Sequence, residues 1–581
     1  MKKKDIEHIA FCFMYLNWQK QQEQADFREG NIVPVELEMN IFKDSGIFFG
    51  RMKNGDLFVG KLAYIDGHIL IVGFPGSGKT MAIVIPTMMT WKGIQIIIDV
   101  KGIFYKIRKK LNKDYDKKVF VFSPCKPGDR NCYFDPYVLL RSDGYDKLAG
   151  NALDLAFALI PLTPLVIDPI WIEIAQFFLA SVIIFYFDLG CTFMETLVAI
   201  KYHSITEMID KVMDSDNMIA KMFMGNLKGV QGKVVKNIGL ELTKLASMIT
   251  SPEIINAFLP HNGCNLLDWA DINTANEPFD VILEIPEANL ERWKPMTVLM
   301  INQLIKCLEK RSERTYNAKD ELPPVLVLLD EFARLGKIPA ITEGLATLRS
   351  RGVTFVLIIQ SLAKLEEIYG TATARVITDI CSYKVVLGVS DPISQEYFSK
   401  AVGTIENTQK GASINFNPFS GIISGFGINF NDIREPIIQP QEFLPMNDVV
   451  IINPFGFCRV DKVLSFENEE MFFGPQSLQN QDYAESSVAR QYKEVNLNNF
   501  LETSITRVNQ LENERKMKMN REKKAREKKE DSRNFKLGEL VSKYFPDEDI
   551  VSFENLLRAL VENTEVFTKL KDEAAKYALH S

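Results

Sequence analysis

The sequence has no excess of basic charge: 68 Lys and Arg face 75 Asp and Glu, a formal net charge of -7. A surface that is basic along its whole length is excluded, so any contact with nucleic acid must be local. Cysteine is sparse, eight in 581 residues. Only Cys125 and Cys132 lie close together, at a spacing that suits neither a zinc knuckle nor a redox CxxC pair. Scattered thiols of this kind predict reduced cysteines, not a disulfide framework. Long apolar runs are also missing. Ile9 to Leu16, behind Lys2 to Lys4, is shorter than most signal-peptide cores and no small-residue cleavage site comes after it. Ile174 to Phe187 is bounded by Glu173 and Asp188 and contains Gln176; its 14 residues fall short of the roughly 20 a membrane span needs, which predicts a buried helix. No internal repeat is visible.

What remains is ordinary globular material, 46% hydrophobic and 25% charged, in a chain long enough for three or four domains. Seven short, almost wholly apolar runs end in Gly, Pro, Ser or a charge: HILIVG (68–73), IQIIID (94–99), VFVFSP (119–124), VILEIP (281–286), VLVLLDE (325–331), TFVLIIQ (354–360) and YKVVLGV (383–389). Runs without period-2 alternation suit strands covered on both faces, as in a parallel sheet. Helical patterns between them, such as Met296 to Lys310 and Pro339 to Leu348, predict a doubly wound α/β core.

Between about 150 and 270 the strand signal fades, while Trp171, Ile174, Ala175, Phe178, Leu179 and Val182 repeat at helical spacing and Ser204 with Glu207 resembles a capping box. The expected organisation is an N-terminal region without a transmembrane helix (1–60), a first motor half (61–149), an inserted all-α domain (150–272), a second motor half (273–480), a charged linker (481–534) and a small helical module (535–581). Arg515 to Lys529 is thick with Lys and Arg; it reads as a solvated helix or linker, with a DNA- or partner-binding arm as the alternative.

Gly73-Phe74-Pro75-Gly76-Ser77-Gly78-Lys79-Thr80 matches the P-loop pattern GxxxxGK[ST]. Four fixed positions arise by chance about 0.02 times in a chain of this length. Glycines let consecutive backbone N–H groups turn inward around phosphate oxygens, and the next helix adds partial positive charge at its N-terminus. Lys79 is expected to bridge the β- and γ-phosphates of ATP, and Thr80 to ligate Mg²⁺. The apolar strand at 325–329 ends in Asp330 and Glu331. Asp330 is expected in the Mg²⁺ shell, and Glu331 as the general base for the attacking water. The bland alternative is that both merely complement a helix dipole, at under about 1 kcal/mol each. TFVLIIQ brings Gln360 to the same strand edge, where it can sense the γ-phosphate or simply be a satisfied polar strand end. Arg349 and Arg351, in LRSRG, precede that strand. In an oligomer such an arginine can reach a neighbour's nucleotide; the alternative is a solvated helix end bonded to its own carbonyls.

The blocks IIIDVKG (96–102), LLDEFARLGKIP (328–339), LRSRGVTFVLIIQSLAKLEEIYG (348–370) and SKAVGT (399–404) carry a resemblance to the TraG/TraD-type coupling ATPases of bacterial conjugation and type IV secretion, over roughly 45–465. The resemblance implies a RecA-like P-loop motor domain, ATP hydrolysis by Lys79, Thr80, Asp330 and Glu331, and Arg349 acting between subunits of a hexameric ring. It implies a cytosolic all-α domain that contacts substrate or relaxase, and delivery of DNA, relaxase or effector proteins to the secretion channel. Relatives usually carry N-terminal transmembrane helices, and none is visible in 1–60, so the expected location is cytoplasmic, either peripheral at the inner face of the bacterial cell membrane through a partner or as a soluble receptor. Two other readings stay open: a soluble DNA translocase like FtsK and HerA, and a scaffold that uses ATP only to stabilise its assembly.

Overall fold

The computed structural model describes residues 45–467 with short interruptions, residues 496–544, and residues 568, 569 and 572. Lys2 to Leu16, Cys125, the stretch 481–495 and nearly all of the expected module beyond 544 lie outside the described residues. The chain forms two units, Met1–Ile505 and Thr506–Ser581.

The described strands are β1 (Gly46–Arg51), β2 (Leu57–Leu62), β3 (Ile69–Val72), β4 (Ile94–Asp99), β5 (Lys118–Phe122), β6 (Cys132–Tyr133), β7 (Cys264–Asn265), β8 (Phe279–Glu284), β9 (Val325–Leu329), β10 (Val353–Ile359), β11 (Tyr383–Val386), β12 (Thr404–Asn417), β13 (Ile422–Pro436), β14 (Asp448–Asn453) and β15 (Gly456–Asp461). Eleven of them form one sheet in the order β2-β1-β15-β14-β11-β3-β10-β9-β4-β8-β5. From β11 to β5 every neighbouring pair is parallel. These are the strands that the seven continuous apolar runs mark. The reason is visible in β3, β4, β9 and β10, where every residue is buried: a strand covered on both faces is mostly apolar, and polar exceptions such as Gln95 and Thr354 have hydrogen-bond partners.

The antiparallel extension through β14, β15, β1 and β2 lies outside those seven runs, although β14 holds the apolar, buried stretch Val449 to Ile452. The boundary expected at residue 60 falls inside β2, so part of the stretch assigned to an N-terminal region is sheet. Strands β12 and β13 pair with each other as a long two-stranded ribbon.

Between β6 and β7 the chain is helical, from Val138–Ser142 through Leu148–Leu159, Ile170–Asp188, Phe193–Tyr202, Ile205–Met213, Met218–Met224 and Lys233–Ala246 to Pro252–Phe258. The parallel pairing of Cys132 with Cys264 holds the two ends of this segment side by side. Its helices start ahead of residue 150. Ser204 caps its helix by accepting from Glu207 N, while the complete capping box is Thr192 with Glu195.

Helix Ile170–Asp188 has 19 residues, longer than the apolar run suggested. By length and composition it could cross a membrane, so shortness is not what makes it a core helix. Packing is: Phe178, Leu179, Val182, Ile183 and Ile184 are fully buried, Ser181 Oγ donates to Ala220 O at 2.7 Å and Gln176 Nε2 to Ile160 O at 2.6 Å. Cys132, Cys191, Cys307, Cys381 and Cys458 are buried. The charged segment after 496 is one continuous helix, Leu497–Tyr544, so the boundary at 534 falls within it. Its residues 520–533 are exposed, as a solvated helix requires.

His68 ties β3 to β10. Its Nδ1 accepts from Phe355 N at 3.0 Å and its Nε2 therefore donates to Leu345 O, at 2.7 Å. Both bonds suit the neutral ring. Burial pushes its pKa down from 6.5 to about 4, against the opposing bond to Leu345 and with help from the charges of Lys61 and Arg349. A depressed pKa means that the unfolded chain takes the proton first. The stability held by neutral His68 is thus complete above about pH 6.5 and is lost as pH falls towards about 4, by about 3 kcal/mol in all. Urea unfolding at pH 7 and pH 4.5 should show a smaller acid loss for His68→Gln than for wild type; equal losses would refute this assignment.

Candidate active site

Three parallel strands deliver the site. In chain order β10 comes after β9, but in the sheet it lies between β9 and β3. Register pairs Ile359 with Val72 and Leu357 with Leu329. The loops after β3, β10 and β9 therefore leave one edge together, carrying the P-loop, Gln360 and the Asp330–Glu331 pair. Carboxyl ends of parallel strands are where open α/β sheets place ligands.

Gly76 and Gly78 take φ of 84° and 96°, left-handed values that side chains rarely adopt. The turn is clamped from outside: Phe74 N donates to Gly388 O at 2.9 Å and Gly73 N to Ile359 O at 3.2 Å. Lys462 Nζ donates to Ser77 O at 2.9 Å and to Met446 O at 3.1 Å. The chain then winds as a π-turn over Lys79–Val84 before the α-helix Ile85–Thr90, a local irregularity common at functional sites. Ser77 Oγ is buried with no hydrogen-bond partner, a polar atom facing the loop that a phosphate oxygen could satisfy. Lys79 is buried; its ammonium donates to Gly73 O, and to Phe74 O at 3.2 Å. Burial lowers its pKa, opposed by Glu331 and Asp330 and assisted by Lys101. To reach phosphates it must leave these carbonyls.

Asp330 is fully buried. Burial raises its pKa, the Lys101 charge opposes that, and Glu331 adds to it. Glu331 is alone among the described non-glycine residues in having positive φ, 53°. Its Oε2 accepts from Gln360 Nε2 at 3.0 Å. A cleft of about 270 Å³ is lined by Glu331, Ala333, Arg334, Ile359, Gln360 and Lys364. Directly after Glu331 the chain makes a four-residue 3₁₀ turn, Phe332–Leu335, too short to supply the helix dipole of the bland alternative.

Lys101, from the IIIDVKG block, has no motif of its own to mark it as a site residue. Its Nζ lies 3.0 Å from Thr80 Oγ1, 3.3 Å and 3.2 Å from the two Asp330 oxygens, and 3.6 Å from Glu331 Oε1. The contact with Asp330 Oδ2 is ionic, because that oxygen has no hydrogen bond of acceptable geometry. Among the described residues there is no group of three or more His, Cys, Asp or Glu that could cage a metal. The hydroxyl and carboxylate oxygens of Thr80 and Asp330 instead fit Mg²⁺, a hard cation that takes one or two protein oxygens and completes its shell with water and phosphate.

Arg349 is not brought to this edge. It begins a 3₁₀ turn before β10, so the whole strand, seven residues or about 20 Å, separates it from Gln360. It is exposed and lines a cavity of about 530 Å³ with Asp379, Ser382 and Lys384. Arg351 is tied to its own subunit by donating to Arg311 O.

The chain matches the family described as type IV secretory system conjugative DNA transfer over residues 40–496. Protein VirD4 of Agrobacterium fabrum is 25% identical over 405 residues, covering 68% of this chain and 58% of the relative. Conjugal transfer protein TraG of Escherichia coli is 20% identical over 432 residues, covering 69% and 65%. The chain thus spans less than two thirds of these curated relatives. Among solved structures, the unbound monoclinic form of the bacterial conjugative coupling protein TrwBdeltaN70 aligns with a TM-score of 0.50 at 16% identity, over 68% of this chain and 84% of that one. That likeness is one of fold, an α/β RecA-like P-loop architecture.

Left-handed backbone at a residue with a side chain costs about 1–2 kcal/mol. Glycine escapes that strain and alanine does not, so Glu331→Gly should exceed Glu331→Ala in unfolding free energy by about 1 kcal/mol, after the entropy glycine adds to the unfolded chain. Denaturant titration of the two variants checks this, and equal midpoints would mean that Glu331 is unstrained.

Proposed function

We propose, for a chain that belongs to the type IV secretory conjugative DNA transfer family, that it is an ATP-hydrolysing coupling protein. In this reading six copies form a ring that delivers DNA with its relaxase, or effector proteins, to the secretion channel. The observation that carries it is the convergence of Lys79, Thr80, Asp330, Glu331 and Gln360 on one strand edge, with Gln360 bonded to Glu331 at 3.0 Å.

The residues divide the work by chemistry. With the N–H groups of Gly73, Phe74 and Ser77 engaged within the protein, those of Gly76, Gly78, Lys79 and Thr80 bind the phosphate oxygens, and Lys79 exchanges its carbonyl partners for the β- and γ-phosphates. Thr80 and Asp330 would hold Mg²⁺, which when bound neutralises charge on the phosphate oxygens. Glu331 accepts the proton of the water that attacks the γ-phosphorus; a new P–O bond forms as the bond to the ADP oxygen breaks. Gln360 holds the Glu331 carboxylate in position for that water. Arg349, on the far edge of its own sheet, can act only on a neighbour's nucleotide. The helical segment between β6 and β7 and the basic helix after 496 are the proposed docking surfaces for substrate. Attachment at the inner face of the membrane would come through a partner protein.

Steady-state ATP hydrolysis with and without single- and double-stranded DNA tests the reading. Lys79→Ala should lose nucleotide binding. Glu331→Gln should bind ATP and turn over at least about a hundredfold more slowly, the scale of a lost general base. Wild-type hydrolysis by Glu331→Gln would overturn the base assignment. Turnover indifferent to DNA would favour a receptor for protein substrates, and turnover independent of both carboxylates would favour the scaffold. Arg349→Ala should abolish turnover in the assembled ring and restore it when mixed with Lys79→Ala subunits, which supply the missing arginine; no restoration would remove Arg349 from the site.

A further inference from the structure

Lys101 is positioned by its surroundings. Asp99, at the end of β4, accepts from Gly102 N at 2.7 Å and from Phe104 N at 2.8 Å, which closes a tight turn over 99–104. Val100 and Phe104 are buried on either side, so the backbone that carries Lys101 is anchored at both ends. The side chain, 33% exposed, runs back over the sheet edge. Its ammonium stops among Thr80 Oγ1, both oxygens of Asp330 and Oε1 of Glu331. Those are the oxygens assigned to Mg²⁺ and to the attacking water.

A buried carboxylate beside a second one needs a nearby positive charge to stay ionised. Burial and Glu331 both raise the pKa of Asp330, and Lys101 is the larger of the cations that oppose them. A divalent ion on the Thr80 and Asp330 oxygens would lie within a few Å of an ammonium that is itself 3.0 to 3.3 Å from them, and the two cations repel, so they compete for the same place.

We propose that Lys101 is the resident cation of this site when no nucleotide is bound, and that a divalent ion must displace it. The inference rests on the reading of Thr80 and Asp330 as metal ligands. While Lys101 is in place it neutralises Asp330, holds the Thr80 hydroxyl and lies against the general base. Metal alone binds poorly because it must expel a tethered ammonium. Metal arriving with a polyphosphate succeeds because the P-loop supplies the remaining interaction. The hydrolytic carboxylates are thereby released only in the nucleotide-loaded site, which couples their availability to substrate without any change of fold. Lys101 acts through the carboxylates and is a positioning residue.

The test is Mn²⁺ binding to the full chain without nucleotide, monitored by electron paramagnetic resonance. Lys101→Met should bind Mn²⁺ at least about tenfold more tightly than wild type, because the competing cation is gone, and Asp330→Asn added to it should abolish the gain. Lys101→Gln serves as the second neutral variant if Lys101→Met does not fold, and Lys101→Arg, which keeps the charge, should bind as weakly as wild type. A wild-type readout needs no variant: saturating Mn²⁺ should raise the rate of amine acetylation at Lys101 several-fold by freeing its side chain. Mn²⁺ affinity unchanged in the neutral variants, or acetylation of Lys101 unaffected by Mn²⁺, would overturn the proposal. Binding of a fluorescent ATP analogue by wild type is measured in parallel. Its absence would sink the ATPase reading, while Lys101 would still stand or fall on Mn²⁺ alone.

Discussion

Everything at the candidate site depends on the parallel register of β3, β10 and β9. Val72 is opposite Ile359 and Leu329 is opposite Leu357, so the first residues beyond each strand meet at one edge. Side chains alternate between faces with a period of two, and a slip of one residue along β10 would turn Gln360 away from Glu331. The seven apolar strands make such a slip costly, because β3, β9 and β10 at their centre are packed completely on both faces. The fold in effect converts a hydrophobic constraint into the alignment of five polar side chains.

The same edge concentrates charge. Two carboxylates, Asp330 and Glu331, lie beside two ammonium groups, Lys79 and Lys101, and burial disfavours the charges of Lys79 and Asp330. Without phosphate, each cation turns to an acceptor within the protein: Lys79 to the P-loop carbonyls and Lys101 to the carboxylates. In the proposed mechanism both arrangements open when a polyanion binds with a divalent cation. The site is held by bonds within the protein, and backbone strain at Glu331 adds to its cost. Functional sites commonly hold strain that the surrounding core supports.

Much of this is legible from residues alone. Glycine spacing in 73–80 and the strand that ends in Asp330-Glu331 announce phosphate chemistry because turn geometry and strand exit are local properties. Gln360 is legible as a strand-end residue, but its bond to Glu331 is not, since the two are far apart in sequence. Lys101 is written in the block IIIDVKG, yet a lysine in a turn reads as solvated until the carboxylates it reaches are known. Lys462 carries no signal: it clamps Ser77 from a segment that no motif marks. The apolar run understates the length of helix Ile170–Asp188, because Ile170 and Trp171 continue the helix beyond the acidic Glu173 that bounds the run.

By itself the sequence determined the identity of the seven parallel strands, the glycine-rich loop and the acidic pair, because strands covered on both faces are mostly apolar and a tight loop of this pattern needs glycine. Tertiary structure alone decided the order of those strands, the insertion of β10 between β3 and β9, and the seating of Lys101 beside Thr80, Asp330 and Glu331. Those outcomes come from pairings between separate elements, such as Lys101 with Asp330, 229 positions apart. Their energies depend on which surfaces meet, and no local window of sequence carries that information.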